Sequence, residues 1–549
     1  MIGGATCLFP MRKALVGFSI LLVVTALAPL WLMPIDFWDG RIIDYAMTTG
    51  DLRGLKMWFF ENRFILQYWF YAGVHNLAEL TGISHRVWFA ASASIAILGI
   101  AAETTCYGRG VLRLPQRYAV LAGYLALFFP PWDTLTSSDL LVHGLCVWWL
   151  LLGYRLSKSR HVPRRSLGVV CILVSFQLNS LPALLAGLCA ADCLLAFRRD
   201  RSVAIDTWRR CAFVIGVTFI AFAIFKLGFP PYGGYEGYNR IVAFDSFSNM
   251  DRALRLLGRY CVWPVAVAGL ACVGVLMAIG TAALDRRIQG LPLFLMRDVF
   301  REVGRACARD YGALLAILLL FFAGVAPYVV VLKYAKFVEF NDWSQRNAYV
   351  LCLPLSLLGA CLARLLAESL RESVPTARYA VMIPMACLCG FASFLYGGYS
   401  QKIERASFEL SVIQALKALP PPPAGAVFVR YDHMRGVAVR MYESNWLLWR
   451  AYGRLDWISA MGEHGTAQEI RLAESTQRAM DDGGEERRLE EMAPDLRTAY
   501  CHSDILLEGN RLTERRAWKW ILGLRPLPEI KAAVAHSSCG GSAVENVGS

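Results

Sequence analysis

Three carboxylates and an arginine stand together in Pro34-Ile-Asp-Phe-Trp-Asp-Gly-Arg-Ile-Ile-Asp44, directly after the apolar run 14–33. Asp36 and Asp39 are three residues apart, so a helical turn starting at Pro34 sets both on one side. Carboxylates where a membrane span leaves the bilayer are costly unless they face water, a partner or a substrate. Phe37 and Trp38, inserted into the interface, partly desolvate their acidic neighbours and raise their basicity. Such a group suits proton removal from a hydroxyl or amine. Asp39 is the first candidate for that base and Asp36 the second. The structural alternative for either is a helix cap or a pair with Arg41, and Asp44 offers Arg41 a further partner.

A second set of residues suits an anion. Arg346 lies in Trp343-Ser-Gln-Arg-Asn347 just before a late apolar run, and Lys333 and Lys336 share its loop. Lys226 sits about a turn inside the end of its span. Arg or Lys aimed at a phosphate stabilises developing charge, whereas the same side chains elsewhere simply snorkel to headgroups. Asp133 and Asp139 flank two successive spans, and Asp139, directly before Leu140, reads as a helix cap. Glu103 and Asp192 fall inside spans near their cytoplasmic ends, with Arg109 and Arg198 as expected partners. No His, Cys and Asp set has zinc spacing. The 16 cysteines, scattered through apolar runs, read as small buried hydrophobes. Cys501 and Cys539, alone in the C-terminal region, are a candidate pair in an oxidising compartment.

The elements that must position these groups are membrane spans. The chain has 549 residues, 56% of them hydrophobic, and a mean hydropathy of +0.42, too apolar for a soluble protein of this size. Its net charge of +13 comes from basic residues clustered between apolar runs, the positive-inside pattern rather than a nucleic-acid surface. Apolar runs at 14–33, 86–105, 118–131, 139–156, 166–179, 181–197, 211–229, 259–282, 312–332, 348–366 and 379–397 predict about eleven spans. The first run resembles a signal peptide but lacks a small-x-small cleavage site, so it reads as retained. Charge alternation then predicts a cytoplasmic N-terminus and an external C-terminal region. The first external loop, 34–85, carries amphipathic pieces near 38–50 and 64–80 that belong in the interface plane. The loop 228–258, rich in Gly and Tyr, reads either as a segment able to close over a ligand or as an unstructured surface loop.

After Tyr399 the pattern changes. An amphipathic helix over 400–419 precedes a polyproline break at Pro420–Pro423, a strand begins at Ala426, and helix-like stretches occupy 464–492. The expected fold class is a polytopic α-helical membrane protein with interfacial helices in its first external loop and a small C-terminal α/β periplasmic domain. The expected divisions are 1–399, 400–535 and a Gly/Ser-rich disordered tail from 536 to 549.

In layout, residues 14–400 resemble the GT-C superfamily of integral-membrane glycosyltransferases. The motifs that carry the resemblance are Asp36-Phe-Trp-Asp-Gly-Arg-Ile-Ile-Asp44, similar to the family's acidic pattern in the first external loop, and Trp58-Phe-Phe-Glu-Asn-Arg-Phe64, similar to a tryptophan–Asn-Gly-Arg pattern without its glycine. Trp343-Ser-Gln-Arg-Asn347 with Pro354 is similar to the family's arginine-then-proline entry to a late span. The resemblance implies a polyprenyl-phosphate sugar donor, a glycolipid, lipopolysaccharide or protein acceptor, and a periplasm-facing site in a bacterial inner membrane. It implies Asp39 or Asp36 as base, with Arg346, Lys226, Lys333, Lys336, Arg63, Arg41, Asp133 and Asp139 binding substrate. It requires no organic cofactor and is compatible with a divalent metal. Two rivals stand beside it: an O-antigen polymerase or ligase, which places its key arginines and histidine in a large late loop, and a transporter or flippase without covalent chemistry. The acidic cluster is early in this chain, and its halves show no internal repeat of the kind many transporters carry.

Overall fold

The computed structural model describes residues 8–34, 36–37, 39–231, 241–270, 273, 292–333, 343–373, 379–421, 425–431, 441–453, 457–461, 502–509 and 514–538. The chain divides into two compact units, one of residues 1–31, 89–135 and 140–398, the other of residues 32–88, 136–139 and 399–549. The first external loop and the C-terminal region therefore fall in one unit.

The first unit is helical. Its elements include α1 (Leu8–Leu32), most of α5 (His85–Gly110), α6 (Gln116–Leu127), most of α7 (Ser138–Ser157), α8 (Val162–Ser175), α9 (Leu181–Phe197), α10 (Arg201–Gly228) and α11 (Phe247–Tyr260). Longer helices follow at Pro292–Val330 and Cys352–Ser373, and the Tyr379–Lys417 helix begins in this unit. Seven helices among the described residues are long and apolar enough to cross a membrane, and Val16–Leu32 and Leu181–Phe197 are shorter apolar stretches. The chain is a multi-pass membrane protein. The apolar window within Gln345–Glu368 is 78% buried and that of α10 only 17%, so the first is a central helix and the second presents Ile220, Ile224 and Leu227 outward.

Several sequence expectations shift. The break at Gln177–Ser180 is real: α8 ends at Ser175, and α9 opens with Pro182 in its first turn, where no backbone donor is needed. The loop 228–258 is shorter than its composition implies. Ser246 caps α11 by accepting from Asn249 N at 3.2 Å, and Arg255 pairs with Asp251 one turn away at 2.5 Å. The Gly- and Tyr-rich segment 232–240 lies outside the described residues. The stretch 292–311, read as a cytoplasmic loop, is helical from Pro292, a residue suited to a first turn. The helix expected over 400–419 is not separate: it is the second half of Tyr379–Lys417, which runs on through Gly397 and Gly398 although glycine is a poor helix former.

In the second unit, α2 (Gly40–Thr49), α3 (Arg53–Glu61) and α4 (Ile65–Thr81) replace the two pieces expected in the first loop. Gly50 and Gly82, with φ of +77 and +66, terminate α2 and α4 in the left-handed conformation that suits glycine. The C-terminal region supplies β1 (Gly425–Tyr431), β2 (Trp457–Met461), β3 (His502–Gly509) and β4 (Ile530–Ser538). They form one sheet in the order β2-β1-β3-β4. β1 pairs in parallel with β2 and β3, and β4 runs antiparallel to β3. The helix Met441–Tyr452 connects β1 to β2, the crossover that a parallel pair requires. Ile505 and Leu507 of β3 are buried, two apart as on one face of a strand. β4 continues through His536–Ser538, pairing with the start of β3, where composition alone reads a tail. The stretch 464–492, Cys501 and Cys539 lie outside the described residues.

Candidate functional site

The second unit gathers charge. Asp36, Arg41, Asp44, Lys402, Arg405 and Glu409 are all buried, none more than 7% exposed. Six buried ionisable side chains in one cluster are costly, and such clusters concentrate at functional sites.

Asp36 folds back on its own chain. Its Oδ1 accepts hydrogen bonds from Phe37 N and Ser138 N, each at 2.9 Å. Ser137 lies in the same corner, its hydroxyl against the Phe37 carbonyl and the Asp139 carboxylate. Gly40 makes the corner possible: a Cβ there would meet Asp36 Oδ1 at 2.1 Å and Ser137 Oγ at 2.8 Å. Burial raises the Asp36 pKa above its ordinary 3.8, against a partial offset from the bonds to Ser138.

Asp39 stands at the N-cap position of α2, half-buried, with its backbone carbonyl accepting from Ile42 N at 3.1 Å. Its side chain makes no capping bond, so the N-cap alternative weighed for Asp39 does not describe it. A carboxylate at a helix N-terminus is favoured by the helix dipole. Trp38 lies outside the described residues.

The other two charges of the motif have partners on distant parts of the chain. Arg41 reaches the Asp36 carbonyl at 3.3 Å and Glu409 at 2.5 Å, with its guanidinium 4.8 Å from the Trp446 ring centroid. Glu409 also takes Arg405 Nε at 2.8 Å, so one buried carboxylate holds two arginines. Asp44 accepts from Arg86 at 3.0 Å and Trp446 Nε1 at 3.1 Å, with His85 Nε2 at 3.2 Å. Burial pushes the Asp44 pKa up, but the His85 bond, the Arg86 bond and charge, and the Arg450 charge outweigh it and hold it well below the usual range. Lys402 Nζ and the Arg405 guanidinium face the Phe37 ring at 4.9 and 5.8 Å.

Sequence reasoning did not find Lys402, Arg405, Glu409, His85, Arg86 or Trp446. The available signal was the spacing 402, 405, 409, which places two cations and a carboxylate on one face of an otherwise apolar helix.

The remaining candidates are dispersed. Asp139 lies in the first turn of α7 rather than at its cap, beside Ser137. Arg63 joins α3 to α4 at φ +61, an uncommon conformation for a residue with a Cβ. In the first unit, Asp133 occupies the 3-10 turn Pro130–Thr136 and Arg346 the 3-10 helix Trp343–Leu351. These two segments meet: the Trp132 and Tyr349 rings lie 5.1 Å apart, and Thr134 bonds the Tyr349 hydroxyl. Asp133 is buried against Gly398, where a Cβ would come within 2.6 Å of its Oδ2. Lys226 ends α10 with its ammonium 5.6 and 5.7 Å from the Phe222 and Phe225 rings. Lys333 follows the helix Pro292–Val330, its amide donating to the Tyr328 carbonyl at 2.8 Å. Lys336 lies outside the described residues. Glu103 and Asp192 take different partners from those expected. Arg155 of α7 and Lys158 directly after it reach them, at 2.6 and 2.5 Å.

Among the described residues, no three His, Cys, Asp or Glu side chains converge as a metal site. Compared with protein-family models, curated proteins and solved structures, the chain finds no match.

Proposed function

We propose that the chain is a glycosyltransferase that moves a sugar from a polyprenyl-phosphate donor to a lipid, glycan or protein acceptor. On this reading it sits in a bacterial inner membrane with the second unit on the periplasmic side. The observation that carries it is the second unit's buried charge cluster with half-buried Asp39 at its start. Burying six ionisable groups is costly, and the resemblance of the Asp36–Asp44 stretch to the GT-C acidic loop supplies a use for them.

The chemistry divides between groups of opposite charge. Asp39 accepts the proton of the acceptor hydroxyl or amine as its lone pair bonds the sugar's anomeric carbon. The bond from that carbon to the phosphate oxygen breaks, and the phosphate leaves with the electron pair. Lys402 and Arg405 supply positive potential for the departing charge. Asp36 acts through the loop: its two backbone bonds and the contact with Gly40 fix where α2, and so Asp39, begins. The resemblance favours this order of roles, as does geometry, because a base must be reachable and Asp36 is enclosed.

The test uses purified full-length protein in detergent, a radiolabelled polyprenyl-phosphate sugar and an acceptor fraction from membranes. Label should pass to the acceptor, and Asp39→Asn should lower the rate roughly 100-fold or more with expression unchanged. Normal transfer by Asp39→Asn with loss in Asp36→Asn would move the base to Asp36. Movement of the intact labelled lipid across vesicles, with no sugar transferred, would replace this reading with the flippase one.

A further inference from the structure

The first unit contains an open cavity of about 450 Å3 that the proposed transfer does not use. It lies where α5, α7 and α9 end and α10 begins. Its charged lining is four cations, Arg155, Lys158, Arg199 and Arg210, against two carboxylates, Glu103 and Asp192. The carboxylates are already committed. Glu103 takes Arg155 through two bonds, at 2.6 and 2.8 Å. Asp192 takes Lys158 at 2.5 Å and the Tyr154 hydroxyl at 2.6 Å. Arg199, which is exposed and donates to the Val111 carbonyl, and Arg210 have no carboxylate within ion-pair distance among the described residues, so the cavity holds surplus positive charge. Partial burial, with the charge of Arg113 second, lowers the pKa of Arg199, and a bound anion would offset that shift.

An independent observation comes from Tyr107. It lines the cavity, is only 7% exposed, and its hydroxyl has no hydrogen-bond partner among the described residues. A buried hydroxyl left unmet costs free energy, and such groups are usually satisfied by a ligand or water. The Lys158 ammonium lies 5.8 Å from the Tyr107 ring centroid and 4.2 Å from that of Tyr154, which holds that cation at the same end of the cavity. The remaining wall is apolar, including Val111, Leu151 and Val203.

The geometry points to a binding site for a phosphate group in this cavity, with Arg199 and Arg210 facing its charge and the Tyr107 hydroxyl donating to one of its oxygens. The phosphate is that of an anionic lipid headgroup or of a soluble phosphate compound. The volume falls in the range of small-molecule sites, and the apolar wall accommodates the glycerol and upper chain of a lipid.

The experiment measures binding to the purified full-length protein in detergent by its thermal unfolding midpoint. The titrants are short-chain phosphatidylglycerol, short-chain phosphatidylcholine and inorganic phosphate. Phosphatidylglycerol should raise the midpoint saturably and phosphatidylcholine far less. A response to phosphatidylglycerol alone identifies the lipid source, and an equal response to inorganic phosphate identifies the soluble one. The double variant Arg199→Gln with Arg210→Gln should weaken the response by about tenfold or more, the loss expected for charge-assisted contacts. Should that variant fail to fold, Tyr107→Phe, which removes one oxygen from a buried ring, should weaken it by about threefold to tenfold. No saturable response to either phosphate probe would overturn the assignment, as would a response that the double variant and Tyr107→Phe both leave unchanged.

Discussion

At the residue scale, two aspartates eight positions apart are held in opposite electrostatic states. Asp44 has its pKa depressed by His85 and Arg86, so the folded chain binds its proton more weakly than the unfolded chain does. Its contribution to stability is present above the unfolded value of about 3.9 and is lost as pH falls further. Asp44→Asn should therefore lower the unfolding midpoint at pH 7 and flatten its fall below about pH 4. A variant curve parallel to wild type through that range would remove Asp44 from the account. Asp36 has the opposite sign. Its pKa is raised, so its protonated form stabilises the fold, and that contribution is lost as pH rises through the folded-state value. Asp36→Asn retains an oxygen acceptor without the buried charge, so its stability relative to wild type should improve from pH 4 to pH 8. The sequence made these carboxylates visible because a charge beside a long apolar run is conspicuous. It did not reveal that Arg41 pairs with Glu409, 368 residues away, because sequence spacing shows neighbours only within an element. His85 and Arg86 were hidden differently: they read as the flank of a span, where basic residues are ordinary.

At the scale of elements, the Tyr379–Lys417 helix carries the second unit's buried cations. Lys402, Arg405 and Glu409 share one of its faces, and Glu409 bridges Arg405 and Arg41. Glu409→Ala leaves both guanidinium groups buried without that partner, which should destabilise the chain by about 3–5 kcal/mol. The mutation would show as low yield in detergent or a markedly lower unfolding midpoint. A midpoint within a degree of wild type would mean that the buried pair contributes nothing. Gly40→Ala tests the corner at the start of α2. Because the new methyl would overlap Asp36 Oδ1 and Ser137 Oγ, the helix start must shift, at a cost of roughly 1–3 kcal/mol. Transfer should also fall, since Asp39 is adjacent. Hydrophobic periodicity revealed most helices, including the α8–α9 break, because Gln177-Leu-Asn-Ser180 interrupts the apolar pattern. Periodicity missed where helices begin. The segments 247–258 and 292–311 are polar enough to read as loops, yet Ser246 and Pro292 are start signals that outweigh that polarity.

At the scale of the whole molecule, the remaining question is which face of the membrane each end of α7 occupies. The residues just after α7, Lys158-Ser-Arg-His-Val-Pro-Arg-Arg165, are strongly basic, and so are Arg198, Arg199 and Arg201 between α9 and α10. Positive loops stay cytoplasmic because translocating them is opposed. If the chain inserts as that charge pattern predicts, the proposed phosphate cavity, with Lys158 and Arg199 in its wall, faces the side where anionic headgroups give the surface its negative potential. The helices at both sites are legible from composition, but orientation is a kinetic outcome of insertion. It is tested by fusing a reporter active only in the periplasm at two positions, after Arg160 and after Pro421. Signal is expected from Pro421 and none from Arg160. The two results together matter more than either alone, since a single silent fusion can reflect poor expression. Signal at Arg160 and silence at Pro421, with both fusions present in the membrane at comparable amounts, would place Asp39's loop with the cytoplasm if the chain between is threaded as its charges imply. A periplasmic acceptor could not then reach it, and the proposed face of transfer would have to be given up.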